Sequence, residues 1–173
     1  MPSGSVISRA MRDAVGREFA RRVSYPVSES DIRRWALAVY YPHDPPNRFW
    51  DDVAAKATRW GGVVAPEDFN PFAWMAAQPR GVKRSDDATN ADDTEHQIGI
   101  DGPGLSNQLN GGVSAEYGEP MHPGDVITSV NRLVEYFERE GRLGLMLFTI
   151  LEDTWTNQRD QLVKRTRMTL IRY

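Results

Sequence analysis

With 173 residues, 40% of them hydrophobic and 26% charged, the chain is long enough for one domain with a real core and has an ordinary globular composition. A formal net charge of -3 makes no case for nucleic acid or an anionic membrane surface, and no apolar run is long enough to cross a bilayer. The absence of cysteine excludes disulfides, thiolate zinc sites and cysteine nucleophiles, and fits a reducing cytoplasm.

Residues 1–16 contain no apolar h-region, so no signal peptide is expected. The basic groups at Arg17, Arg21 and Arg22, and at Lys164, Arg165 and Arg167, read as solvated faces. Ser28 or Ser30 caps the first clear helix, with Glu29 and Asp31 near its positive end. Ile32, Trp35, Ala36 and Val39 recur at helical spacing as one apolar stripe, and Pro42 ends the helix. Asp51 and Asp52 then open a short helix running to about Arg59.

Gly61 and Gly62 break the chain ahead of an apolar step, residues 63–65. Pro66, Glu67 and Asp68 suit a first helical turn, where missing donors and negative charge are tolerated. Phe69, Phe72, Ala73 and Ala76, flanked by Trp74 and Met75, surround that segment with apolar groups, which predicts a buried helix with an irregular first turn or kink at Pro71. Residues 79–111 lose all periodicity and read as one long loop, either a plain excursion or a lid over a ligand.

The last third reads as strands. GVSAEYG comes first. In the next, Val126, Thr128, Val130 and Arg132 alternate against Ile127, Ser129, Asn131 and Leu133. GLMLFTILEDTWTN follows as a central strand buried on both faces at its start, then a turn at residues 157–160 and QLVKRTRMTLIRY. Helices first and a closely linked meander later predict an α+β fold with a mostly antiparallel sheet, one domain over residues 1–173.

The phrases VSESDIRRWALAV, GGVVAPEDF, GGVSAEYGEPMHPGDVITSVNRLVEYFEREGR and TWTNQRDQLVKRTRMTLIRY occur in an order that resembles the MaoC-like (R)-specific enoyl-thioester hydratase/dehydratase family, and most closely its FAS1-like N-terminal dehydratase module. The resemblance implies a hot-dog fold, a long central helix starting near residues 65 and 66 wrapped by a curved antiparallel sheet. It also implies pairing of two hot dogs through their sheets.

Catalytic members carry S-G-D-x-N-P-x-H after the first helix, an aspartate and a histidine acting on one water. The helix N-terminus stabilises the thioester oxygen. Here the matching stretch is YYPHDPPNRFW, residues 40–50. Asn47 stands at the histidine position, and Tyr40, Tyr41 and Pro42 where the aspartate belongs. His43 and Asp44 are adjacent, which on an extended loop points them apart. The stretch reads as a proline-stiffened turn in which Asp44 or Asn47 bonds local amides, with lining of a substrate channel and autonomous catalysis by His43 as the alternatives.

The reading that follows is a non-catalytic, substrate-binding hot-dog subunit of a heteromeric (R)-enoyl-CoA hydratase or 3-hydroxyacyl dehydratase acting on fatty-acyl or steroid side-chain thioesters. Its partners are an acyl-CoA or acyl-carrier-protein thioester and a catalytic MaoC-like subunit, with neither nucleic acid nor membrane. The alternative is a homodimeric acyl-thioester binding or regulatory protein. Candidate substrate contacts are Tyr41, His43, Asp44, Asn47, Phe69, Phe72 and Trp74, and Arg80, Lys83 and Arg84 stand where phosphates could be met. No cofactor is expected, and His43, His96 and His122 share no metal-binding spacing.

Overall fold

The computed structural model describes residues 4–73, 90–142 and 144–173. Its elements are α1 (Arg9–Ala14), β1 (Glu18–Val23), α2 (Glu29–Tyr40), a 3-10 turn (Asn47–Phe49), α3 (Asp52–Lys56), α4 (Asp93–Ile98), β2 (Gln108–Tyr117), β3 (Thr128–Gly141), β4 (Gly144–Thr156) and β5 (Leu162–Arg172). The strands form one five-stranded sheet in the order β1-β3-β4-β5-β2, and every neighbouring pair is antiparallel. This is the α+β arrangement expected from the sequence. Among the described residues no helix is long and apolar enough to cross a membrane.

Local chemistry explains the boundaries. The Ser28 hydroxyl accepts from Asp31 N at 3.4 Å and caps α2, and Asp51 Oδ1 accepts from Val53 N at 2.9 Å and Ala54 N at 3.1 Å to cap α3. Asn157 shapes the β4–β5 turn in a similar way: its Oδ1 accepts from Arg159 N at 2.9 Å and Gln161 N at 3.1 Å. That turn is pinned to the entry of β3, because Gln158 Nε2 donates to buried Asp125 at 2.9 Å.

The inner face of the sheet carries Ile127, Ser129, Leu133, Leu147, Thr149 and Leu151, all buried, as the β3 alternation predicts. β4 differs from expectation. Its outer face, with Met146, Phe148 and Ile150, is only half-buried, because a Phe137–Phe148 stack (4.7 Å) and the Arg139 guanidinium are its cover among the described residues. The α2 stripe is narrower than its spacing suggests: Ile32 and Ala36 are fully buried, Trp35 packs beside them, and Val39 is 57% exposed.

Three corrections concern the middle of the chain and its start. Residues 66–72 form turns and irregular backbone instead of a helix, since Pro71 lacks an N–H and the Asn70 side chain takes Phe72 N at 3.0 Å; Ala73 is 3-10 helical, and residues 74–78 lie outside the described residues. The stretch 79–111 is not all loop, because α4 and the first residues of β2 fall within it, while residues 79–89 lie outside the described residues. Finally β1, EFARRV, is a strand that its charges conceal.

α4 lacks an apolar stripe because an ion pair docks it. Arg172, 1% exposed, donates to Glu95 Oε1 and Oε2 at 2.7 Å each, to Thr149 Oγ1 at 2.8 Å and to the Ala91 carbonyl at 2.7 Å. Tyr136 donates to Glu95 as well, at 2.5 Å. Burial raises the Glu95 pKa, but the bonds from Arg172 and Tyr136 outweigh it and hold the carboxyl below its ordinary 4.5. Glu95 therefore contributes stability that is complete above its ordinary pKa and is lost as pH falls through the depressed folded-state value. Glu95→Gln should lower unfolding free energy at pH 7 by about 3–5 kcal/mol in urea titrations, the cost of breaking a buried pair. The gap to the unmodified protein should narrow as the pH is taken below that range.

Candidate functional site

The stretch 40–50 folds as a self-braced turn. His43 N donates to the Tyr40 carbonyl at 2.8 Å, Trp50 Nε1 to the Pro45 carbonyl at 3.0 Å, and Phe49 N to the Pro46 carbonyl at 3.0 Å. Asn47 contributes its carbonyl, which accepts from Trp50 N at 3.1 Å and Asp51 N at 2.9 Å. The bracing thus comes from backbone groups and an indole, where the sequence suggested the Asp44 or Asn47 side chains. Tyr41 is 82% exposed, and His43, Asp44 and Asn47 are exposed too. Among the described residues no hydrogen bond joins those side chains to one another. Phe49 is the residue the turn directs inward, against Ala36 and Val64.

Phe69 and Phe72 belong to the core. Phe69 meets Trp35 edge to face at 5.9 Å, and Phe72 meets Trp155 the same way at 5.2 Å. The stack continues in both directions. The Arg22 guanidinium lies 4.6 Å from the Phe72 ring, and the Lys164 ammonium lies 5.4 Å from Trp155 and 5.1 Å from Tyr117. Asp68 closes it, accepting from Tyr117 OH at 3.0 Å and pairing with Lys164 at 3.4 Å. Burial and then the Asp68 bond push the Tyr117 hydroxyl pKa upward. Arg22 and Lys164, read from sequence as solvated, thus take part in packing. Trp74, Met75, Arg80, Lys83 and Arg84 lie outside the described residues.

The segment where the family places an oxyanion-stabilising helix start has few donors to offer. Ala65 N donates to the Met121 carbonyl at 2.8 Å, Pro66 has no N–H, and Phe69 N donates to the Pro66 carbonyl at 2.9 Å. Glu67 and Asp68, expected at a helix N-terminus, sit in a turn.

A cavity of about 540 Å³ opens between α4, β1 and the inner face of the sheet. Phe19, Leu151, Met168 and Leu170 line it with apolar surface, Asn90, Gln97, Gln108 and Asn131 with amides, and Arg22 and Asp93 with charge. An apolar wall with a few polar groups suits a chain-like ligand. Of these residues only the strand positions were legible in sequence, where Asn131 shares a face with Ser129 and Leu133. Among the described residues no group of three His, Asp or Glu side chains could hold a metal ion.

The family described as FAS1-like, dehydratase domain region, matches residues 13–166, and the chain belongs to it. No curated protein matches. The MaoC-like dehydratase from Rhodospirillum rubrum is 19% identical with a TM-score of 0.57, covering 94% of this chain and 95% of that one. The ChsH1–ChsH2 complex from Mycobacterium tuberculosis aligns at 18% identity and TM-score 0.62, over 90% of this chain and 84% of that one. The C-terminally truncated HadBC (3R-hydroxyacyl-ACP dehydratase) complex from the same organism aligns at 17% identity and TM-score 0.56, over 91% of this chain and 97% of that one. These likenesses establish the hot-dog fold.

Core and loop roles separate on substitution. Phe72→Ala should cost about 3–5 kcal/mol of stability by removing a buried ring. His43→Ala, at an exposed position, should stay within about 0.5 kcal/mol by thermal or urea denaturation.

Proposed function

We propose that this member of the FAS1-like dehydratase family is a non-catalytic hot-dog domain that binds an acyl thioester beside a catalytic MaoC-like subunit. The assembly is an (R)-specific enoyl-thioester hydratase or 3-hydroxyacyl dehydratase, and fatty-acyl or steroid side-chain thioesters are its substrate class. The observation that carries this reading is the turn at residues 40–50. Hydration needs an acid and a base converging on one water. Here Asn47 replaces the histidine, residues 40–42 replace the aspartate, and the remaining pair, His43 and Asp44, is exposed and adjacent.

Two further features support it. The amphipathic cavity of about 540 Å³ is of a size to take an acyl chain. Among the described residues β2 pairs only with β5 and leaves its other edge open. It is exposed along its whole length from Gln108 to Tyr117, including Leu109, Val113 and Tyr117. A bare edge of that length is a place for another chain's strand to add. Two of the fold's relatives, ChsH1–ChsH2 and HadBC, are themselves complexes.

The test is hydration of a short and a bulky trans-2-enoyl-CoA by this chain purified alone, with binding measured in parallel. Binding without turnover, and turnover once a MaoC-like chain with an intact Asp/His motif is added, is the expected result. Turnover by the chain alone that survives stringent purification overturns it. Binding that no such partner converts into turnover favours a homodimeric acyl-thioester binding protein.

A further inference from the structure

Arg48 and Arg59 are exposed, and among the described residues neither has a carboxylate within ion-pair distance. Three arginines of the sheet's outer face are paired by contrast: Arg132 with Glu18 at 3.1 Å, Arg165 with Glu116 at 2.9 Å and Arg167 with Glu152 at 2.8 Å. Each of the two is held by an aromatic ring instead. The Arg48 guanidinium lies 4.4 Å from the Phe49 centroid and the Arg59 guanidinium 3.9 Å from that of Trp60. Stacking restrains a guanidinium while leaving its N–H edge available to a planar or tetrahedral oxyanion.

Both arginines line one groove. A cavity of about 380 Å³ is lined by Arg48 and Arg59 together with Phe49, Val64, Glu67 and Pro120. It adjoins a second, of about 250 Å³, which shares Arg59 and Glu67 and continues to Tyr117 and Met121. In the first cavity two cations face one carboxylate, Glu67, while the adjoining one adds Glu119, so the net positive charge is confined to the Arg48–Arg59 end. Its floor is apolar and buried: Phe49, Val64 and Ala65.

We infer that this groove is a binding site for a phosphate monoester of an apolar or aromatic alcohol. The doubly charged phosphate engages both guanidinium forks, where a monocarboxylate satisfies one. The organic body lies along Phe49, Val64 and Pro120. The site is separate from the acyl cavity and stands whether or not acyl thioesters bind there.

Titration calorimetry with phenyl phosphate tests it, with inorganic phosphate and benzoate as comparisons. Phenyl phosphate should bind at least about tenfold more tightly than either, since two charge-assisted forks and an apolar floor act together. Arg48→Ala and Arg59→Ala should each weaken it about tenfold or more, Arg59→Lys should weaken it less, and Arg12→Ala, at an exposed arginine on α1, should leave it unchanged. No binding of phenyl phosphate overturns the site. So does binding indifferent to both arginines, or affinity for inorganic phosphate or benzoate equal to that for phenyl phosphate.

Discussion

Arg172 and Glu95 form the contact on which the closed end of the fold depends. Arg172 is the last residue of β5, Thr149 lies on β4, Tyr136 on β3 and Glu95 on α4, so one guanidinium–carboxylate pair ties three strands to the helix. Both charges are removed from water, and Glu95 is 0% exposed. Such a pair is tolerable only when nearly every remaining donor and acceptor is satisfied. Here the Ala91 carbonyl, Asp92 and Thr149 accept from the guanidinium, and among the described residues its Nε alone finds no acceptor. The arrangement is directional in a way an apolar contact is not. It sets the rotation of α4 against the sheet, and with it the wall of the neighbouring cavity.

The same logic runs through the rest of the inner face. Asp153 accepts from Ser129 at 2.7 Å and Trp155 Nε1 at 2.9 Å, and pairs with Arg22 at 3.4 Å. Arg22 in turn covers Phe72. Among the described residues the sheet meets short helices and turns, which bring little apolar material to each strand. Networks of satisfied polar groups fill the difference, and they fix geometry more narrowly than methyl groups do.

Those networks also decide what could be read from the sequence. The β3 alternation, the Ser28 and Asp51 caps and the end of α2 before Pro42 were legible because each depends on neighbouring residues alone. β1 was hidden by its charges, Glu18, Arg21 and Arg22, and α4 by a buried glutamate where a helix would normally show leucine. Both elements are held by partners far along the chain, which no local pattern encodes. Phe69 and Phe72 were readable as buried, and the structure assigns them to ring stacks in the core. The amide-lined cavity was not readable at all, since Asn90, Gln97, Gln108 and Asn131 meet only through tertiary packing. The arginine groove left a faint local trace, a cation beside an aromatic at Arg48–Phe49 and again at Arg59–Trp60.

The turn at residues 40–50 joins these observations. Ordering a loop costs about 1–2 kcal/mol per residue in backbone entropy. Pro42, Pro45 and Pro46 lessen that cost by restricting the unfolded chain, and the Trp50 indole bond adds a fixed point. A catalytic loop directs such ordering at its acid and base. Here the ordered inward group is Phe49, and His43 and Asp44 are left to solvent. Seating Phe49 against Val64 in turn places Arg48 over the Phe49 ring, in the wall of a groove whose other cation, Arg59, comes from just past the end of α3. The rigidity of this turn is therefore accounted for by the shape it gives its surroundings.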